Sequence, residues 1–247
     1  MRHEGDIVQA IVICTVKNPG VTILLESIRV YAPTMPVYLF GNSLELWHKA
    51  KSILPNLVWR PNQATNFGDA YNTAIDYAFE HGRYNSVIVS NDDVVITPSA
   101  IDVMKNDSEI LESNGVNVGF LGARSDYVLP DQNIRFPVEE DERVGLKWES
   151  EFYIKPTGVI APIFATISKK AWDAAKFPST NWYSDNIICH DLQKAGFEHF
   201  VSRAYVHHAG SQTVGTDFEK CHEEPREWIK ANRPDIYEAF YGTTNAS

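Results

Sequence analysis

Asp92 and Asp93 stand side by side within residues 87–96, Val-Ile-Val-Ser-Asn-Asp-Asp-Val-Val-Ile, where an apolar run breaks into charge and then resumes. Such a run reads as a buried strand that delivers carboxylates to the edge of a sheet. A hard cation such as Mg2+ takes oxygen ligands and keeps waters and substrate phosphates. One or two carboxylates at a strand end therefore suffice to dock a phosphorylated ligand through a metal. The competing reading is a strand followed by a polar turn, because Asp and Asn are ordinary turn formers. A third carboxylate, Asp185, follows Trp182, Tyr183 and Ser184 at the head of an apparent helix that Ser184 can cap and Gly196 can end. In the first turn the helix dipole favours an ionised Asp185, as a general base requires. His207 and His208 complete the set. A lone buried histidine is more often structural than a ligand, and only its combination with the carboxylates makes it a metal candidate. Adjacent residues of an extended chain point opposite ways, so which of the two faces inward stays open.

Alternating strands and helices must position these groups. Residues 10–16 form a short β-branched run closed by Lys17-Asn-Pro-Gly20, a strand ending in a loop. Residues 21–31 carry helical spacing through Leu24, Leu25, Ile28 and Tyr31, and a second strand at 37–40 follows the stop at 32–36. Such a βαβ unit implies parallel pairing with a right-handed crossover. The pattern continues with a helix at 44–53, a strand at 57–59, a helix at 69–81 and a strand at 86–90. The spacing then predicts strands at 118–122, 160–167 and 204–206, and helices at 169–175 and 184–195. The polar stretch 125–156, with its charge run from Glu139 to Arg143, reads as a long loop. From Asp217 onward, charge mixed with aromatics predicts helices packed on the core. The expected fold class is α/β, a mostly parallel central sheet flanked by helices in a single domain with a C-terminal helical extension. In such sheets ligands bind outside the carboxyl ends of the strands.

The whole chain narrows the function further. Its 247 residues suit one large α/β domain, and 44% hydrophobic residues permit a sizeable core. A net charge of -10 excludes sequence-independent attraction to a nucleic-acid backbone, which needs clustered Lys and Arg. Cys14, Cys189 and Cys221 are odd in number and widely spaced, against a disulfide framework or a CxxC zinc site and in favour of a reducing compartment. The polar opening and the interruption at Gln9 lead to the expectation of neither signal peptide nor membrane span. A cytoplasmic location is the expectation.

Taken in order, these features resemble the inverting glycosyltransferases with the GT-A (Rossmann-like) fold, especially those of the family-2 type. Asn91-Asp-Asp93 looks like their short acidic metal motif, a DxD-like element, and Asn66-Phe-Gly-Asp-Ala-Tyr-Asn72 resembles the segment opening the preceding helix. Ser184-Asp185 falls where an acidic pair supplies the base, and His208-Ala-Gly-Ser211 matches a downstream histidine. The likeness covers roughly residues 10–213. It implies a glycosyltransferase domain over 1–214, with a nucleotide-binding half to about residue 100 and an acceptor half beyond it, and a helical tail at 215–247. It implies Mn2+ or Mg2+ held by Asp93 and His208, with Asp92 on metal or ribose and His207 able to exchange roles with His208. A UDP- or GDP-linked sugar would lie against Thr15, Val16, Lys17, Asn42, Asn66, Gly68, Asn72, Asn91 and Asp92. Asp185 would deprotonate the hydroxyl of a carbohydrate or other acceptor. Trp182 and Tyr183 would stack on that acceptor or pack in the core, and Trp148 and Tyr153 are weaker acceptor contacts.

The chain departs from the pattern in places. Ser184 replaces one of two acids, Ile187 and Asp191 stand where the family often has an acidic and a basic residue, and Phe40-Gly-Asn-Ser43 lacks the aspartate that reads the base. Asn42 is its substitute, so uridine and guanosine donors both stay open. Two rivals remain. A sugar-nucleotide nucleotidyltransferase would need a Gly-rich basic loop near strand one, of which Lys17-Asn-Pro-Gly20 is a poor version. A non-catalytic glycan-binding domain could keep the fold without transfer.

Overall fold

A computed structural model describes residues 9–16, 20–138, 141–147, 152–210 and 218–241. Three βα units and a fourth strand build its first half. Strand β1 (Gln9–Cys14) leads through helix α1 (Val21–Tyr31) to β2 (Val37–Phe40), and α2 (Leu44–Ile53) leads to β3 (Val58–Arg60). Helix α3 (Phe67–His81) then returns across the sheet to β4 (Ser86–Ser90). The pairing order is β3-β2-β1-β4, all parallel. Strand order thus reverses between β1 and β4, which opens a crevice at their carboxyl ends, where ligands bind in sheets of this kind.

The second half completes a sheet of nine strands. After β5 (Val94–Ile96) and α4 (Ala100–Ser113) come β6 (Val118–Arg124) and a separate hairpin of β7 (Arg135–Val138) and β8 (Asp141–Leu146). Strands β9 (Lys155–Thr157) and β10 (Phe164–Ser168), helices α5 (Lys169–Ala174) and α6 (Ser184–Lys194), and β11 (Glu198–His208) follow. Strand β10 runs antiparallel between β4 and β6, and β6 pairs β11 in parallel. Six strands therefore share one direction, and β5, β9 and β10 oppose it. The expected strands at 160–167 and 204–206 are thus redrawn. The first begins only at Phe164, and the second is the end of an eleven-residue strand.

Burial on both faces explains the apolar strand runs, since alternate side chains feed two cores. Ala10, Val12, Val87 and Val89 pack under α3, α5 and α6, while Ile11, Ile13 and Ile88 pack under α1, α2 and α4. Trp172 of α5 is the largest wholly buried side chain among the described residues, and its indole N–H donates to Asp76 at 2.7 Å. Among the described residues Cys14 and Cys189 are free thiols. No described helix is long and apolar enough to cross a membrane.

Helices α7 (Phe218–Asn232) and α8 (Pro234–Tyr241) lie against α6 through Ile187, Ile229 and Ile236. Arg233 clamps Asp191 with two hydrogen bonds of 2.8 and 2.6 Å. The acid at position 191, out of pattern for the family resembled, is here the anchor of the C-terminal helices.

Candidate functional site at the carboxyl edge of the sheet

Sheet pairing sets the metal-type residues against one another. Asn91, Asp92 and Asp93 follow β4 directly, and β5 pairs antiparallel with the end of β11 so that Val94 opposes His208. The Ala209 amide donates to the Asp93 carbonyl at 3.0 Å and closes the junction. His208 Nε2 then lies 3.1 Å from Asp93 Oδ1, with both side chains 9% exposed. Asn91 Nδ2 is 3.4 Å from the same ring nitrogen. Asp92 turns the other way and accepts the Thr15 hydroxyl at 2.6 Å across the crevice between β4 and β1.

His207 and His208 alternate across the strand. His207 is half exposed, with Nδ1 2.8 Å from Asp126 Oδ2, so it is His208 that faces Asp93. Two residues that sequence reading missed support this arrangement: Asp126 accepts the His208 amide, and the Tyr127 carbonyl accepts its Nδ1–H. They stand just after β6 at the head of the stretch read as loop, where position alone gave no signal. Burial works against the Asp126 carboxylate, but the His208 amide, His207 and Arg135 hold its pKa below the ordinary range. Burial likewise opposes charge on His208, yet the hydrogen bond to Asp93 raises its pKa above the usual imidazole value.

These donors fit a divalent cation. With Nδ1–H directed to a backbone carbonyl, Nε2 presents its lone pair beside a carboxylate, the arrangement that orients metal-binding histidines. No group of three or more His, Cys, Asp or Glu residues forms a metal cage among the described residues. A two-donor protein set suits an ion that draws its other ligands from waters and substrate phosphates.

Asp185 reaches the same edge by topology. Helix α6 ends at Lys194 and β11 starts at Glu198, at the amino edge of the parallel strands, so the head of α6 lies at the carboxyl edge. Gly196, at φ +84, makes the turn between them. The N-cap is Tyr183 rather than Ser184, and it holds φ +57 with no side-chain cap. A non-glycine residue there is strained and persists only where its surroundings impose it. Asp185 itself is half buried and accepts the Asn186 amide at 3.0 Å. Burial pushes its carboxyl above the ordinary 3.8, against the lowering effect of local amides. Among the described residues it bonds locally and does not join the Asp93–His208 pair.

The segment expected to line the donor pocket bonds to residues 177–180. Asn66 caps α3 by accepting the Asp69 amide and donates to Ser179 Oγ at 3.1 Å. Asn72 makes paired bonds to the Phe177 backbone at 2.8 and 3.1 Å. Gly68 donates to the Thr180 carbonyl at 3.2 Å. These residues fasten residues 177–180, the approach to α6, onto α3. Tyr71 of α3 bonds the Ser90 carbonyl at 2.7 Å and packs against Phe177, linking that approach to the end of β4.

A Cβ on Gly68 would stand 1.8 Å from the Pro178 carbonyl oxygen. Gly68→Ala must therefore displace backbone and should cost about 1–3 kcal/mol, read from denaturant midpoints. An unchanged midpoint would mean that residues 177–180 yield freely.

Val16 is exposed at the end of β1, and Lys17 lies outside the described residues, as do Glu139, Glu140, Trp148 and Ser211. Asn42 Oδ1 accepts the Asn62 amide at 3.0 Å. Trp182 is half buried, whereas Tyr183 packs with Trp228, Tyr237 and Tyr241 in the α6–α8 cluster. Tyr153 is exposed.

No protein-family profile matches the chain, and no curated protein sequence matches it significantly. Solved structures do. GalNAc-T7 in a crystal with UDP, GalNAc and Mn2+ aligns over 97% of this chain at TM-score 0.64 and 9% identity. Residues 1–349 of S. aureus TarS align over 96% of it at TM-score 0.57 and 13% identity, covering 73% of that chain. The same TarS segment with UDP-GlcNAc aligns over 89% of it, again at 0.57 and 13%, covering 64% of that chain. The chain spans 52% of the GalNAc-T7 chain, about half its length. At such identities the likeness shows the fold alone, a GT-A-like fold.

Proposed function

We propose that this GT-A-fold chain transfers a sugar from a nucleotide-sugar donor to an acceptor hydroxyl with inversion at the anomeric carbon. The observation that carries the reading is the pairing of His208 Nε2 with Asp93 at the strand-order reversal, beside the Thr15–Asp92 bond. Two of the aligned structures hold UDP compounds, one of them with Mn2+. That favours a uridine donor here and a divalent cation on Asp93 and His208.

When bound, the cation neutralises charge on the departing diphosphate as a Lewis acid. The chain's own groups do the rest. Thr15 orients Asp92 toward the nucleotide crevice, and Tyr127 and Asp126 hold His208 in the tautomer that faces Asp93. Asp185 takes the acceptor proton while the hydroxyl attacks from the face opposite the diphosphate. One displacement inverts the configuration. A carboxylate whose pKa is raised by burial is a stronger base than one in water, which suits a weakly acidic hydroxyl. Asn66, Gly68 and Asn72 serve this step by positioning the approach to α6. The domain assignment follows: residues 1–214 carry donor and acceptor binding, and helices α7 and α8 of the C-terminal tail brace α6.

A panel of UDP- and GDP-sugars tested with and without Mn2+ checks this. The cognate donor should stabilise the fold by about 2.7 kcal/mol at a hundred times its Kd, only with metal, and product analysis should show the inverted anomer. Stabilisation by no donor in the presence of metal would overturn the proposal and leave a binding domain as the better description.

A further inference from the structure

A cluster of buried polar groups at the opposite, amino edge of the sheet takes no part in that chemistry. Gln9, Ser86 and Ser168 are register partners across β1, β4 and β10, and Thr166 shares their face two residues from Ser168. Among the described residues, four buried side-chain polar atoms have no hydrogen-bond partner, and three of them are Gln9 Nε2, Ser86 Oγ and Thr166 Oγ1. Buried polar groups are nearly always paired, so the orphan hydroxyls of Ser86 and Thr166, on the neighbouring strands β4 and β10, point to an occupant that satisfies them, while Gln9 lies outside the lining of the space they share.

The space for one is there. Ser86 and Thr166, 6% and 5% exposed, both line a cavity of about 390 Å³ beneath α4. A water takes about 30 Å³, whereas small-molecule pockets begin near 300 Å³. From Ser86 to Asp92 is six residues of extended chain, roughly 20 Å, so this cavity is separate from the carboxyl-edge site.

Its lining selects the ligand. Ser108 and Glu112 of α4 and Lys170 of α5 supply polar groups, and Leu121 and Phe197 supply apolar walls. Lys170 donates to Asn117 Oδ1 at 2.7 Å and lies over the Phe197 ring. One cation offset by one carboxylate gives no clustered positive charge for a phosphate. Hydroxyls that both donate and accept, an accepting carboxylate and an adjacent apolar wall match a neutral molecule with hydroxyls on one side and C–H groups on the other. We propose that this cavity binds a neutral polyhydroxylated ligand of monosaccharide size.

Ligand-observed NMR titrations with glucose and with N-acetylglucosamine, on the full chain, test the proposal. Binding at millimolar concentration is expected for the parent protein and equally for Asp93→Asn, which touches only the carboxyl edge. Thr166→Val removes an orphan hydroxyl at nearly constant shape and should leave the fold intact while weakening binding about tenfold or more. Glu112→Gln at the rim should weaken it similarly. Absence of binding by either sugar overturns the site, as does binding indifferent to both cavity substitutions. Binding lost in Asp93→Asn would assign the sugar to the carboxyl edge instead. A sugar-soaked crystal whose cavity holds waters alone would also refute it. Because the Asp93→Asn arm is independent of transfer, failure here leaves the proposed reaction standing, and the converse holds.

Discussion

Asp185→Asn should lower the transfer rate by about 10^2 to 10^4, the range a positioned general base contributes, while leaving donor affinity within a few-fold of the parent. The amide keeps the size of the carboxylate and can still accept the Asn186 N–H, so the head of α6 should keep its geometry. Stability supplies a second readout with a definite sign. Burial raises the Asp185 pKa above its unfolded value, so the ionised form is penalised in the folded state. The fold gains stability as pH falls through the raised pKa and loses it again above. At neutral pH the asparagine variant should therefore be as stable as the parent or more so. The rate should run oppositely to the parent's stability: it falls as pH drops through the raised pKa, because the base must be ionised. A variant that turns over normally, or that unfolds more readily at pH 7, would remove Asp185 from the catalytic role.

Asp93→Asn and His208→Ala should each abolish the Mn2+-linked stabilisation by donor. Loss of an outer-shell partner alone typically costs 10- to 100-fold in metal affinity, so loss of a direct ligand should cost at least about 100-fold. Asp93→Asn is the cleaner of the two, because it preserves side-chain volume at a position 9% exposed. Parallel metal titrations of His207→Ala should show a far smaller change, since that ring faces Asp126 and solvent. Retention of metal-linked stabilisation in Asp93→Asn, or equal damage from His207→Ala, would contradict the proposed donor set.

Much of this site could be read from residue order because the elements that carry it are locally encoded. Apolar, β-branched runs at β1, β2 and β4 are buried on two faces, and the α1 and α3 patterns repeat at helical spacing. Asp92 and Asp93 stand at the end of such a run, so their edge position follows from the pattern alone. Helix α4 went unread for the opposite reason. It buries Asp107 and Ser108 on its inner side, where Asp107 is held by Ser202 and Arg203 of β11, so its polarity masks its period. The N-cap of α6 moved by one residue because Tyr183 accepts a left-handed conformation in its packed setting. The Asn66–Asn72 segment shows the same limit in function. Its residue types suit a ligand, yet its Asn72 side chain bonds the Phe177 backbone and its Phe67 amide donates to Asn181 Oδ1, both more than a hundred residues away.

Local pattern alone determined the alternation of strands and helices, the strand-end placement of the acid pair and the carboxylate in the first turn of α6. Propensity and periodicity act over a few residues, and these features span no more. Tertiary structure decided that β10 runs backward through the sheet, that His208 and not His207 meets Asp93, and that Asp126 and Tyr127 hold it there. Each of those depends on strand direction and register between distant segments, where a slip of one residue would turn every side chain to the other face.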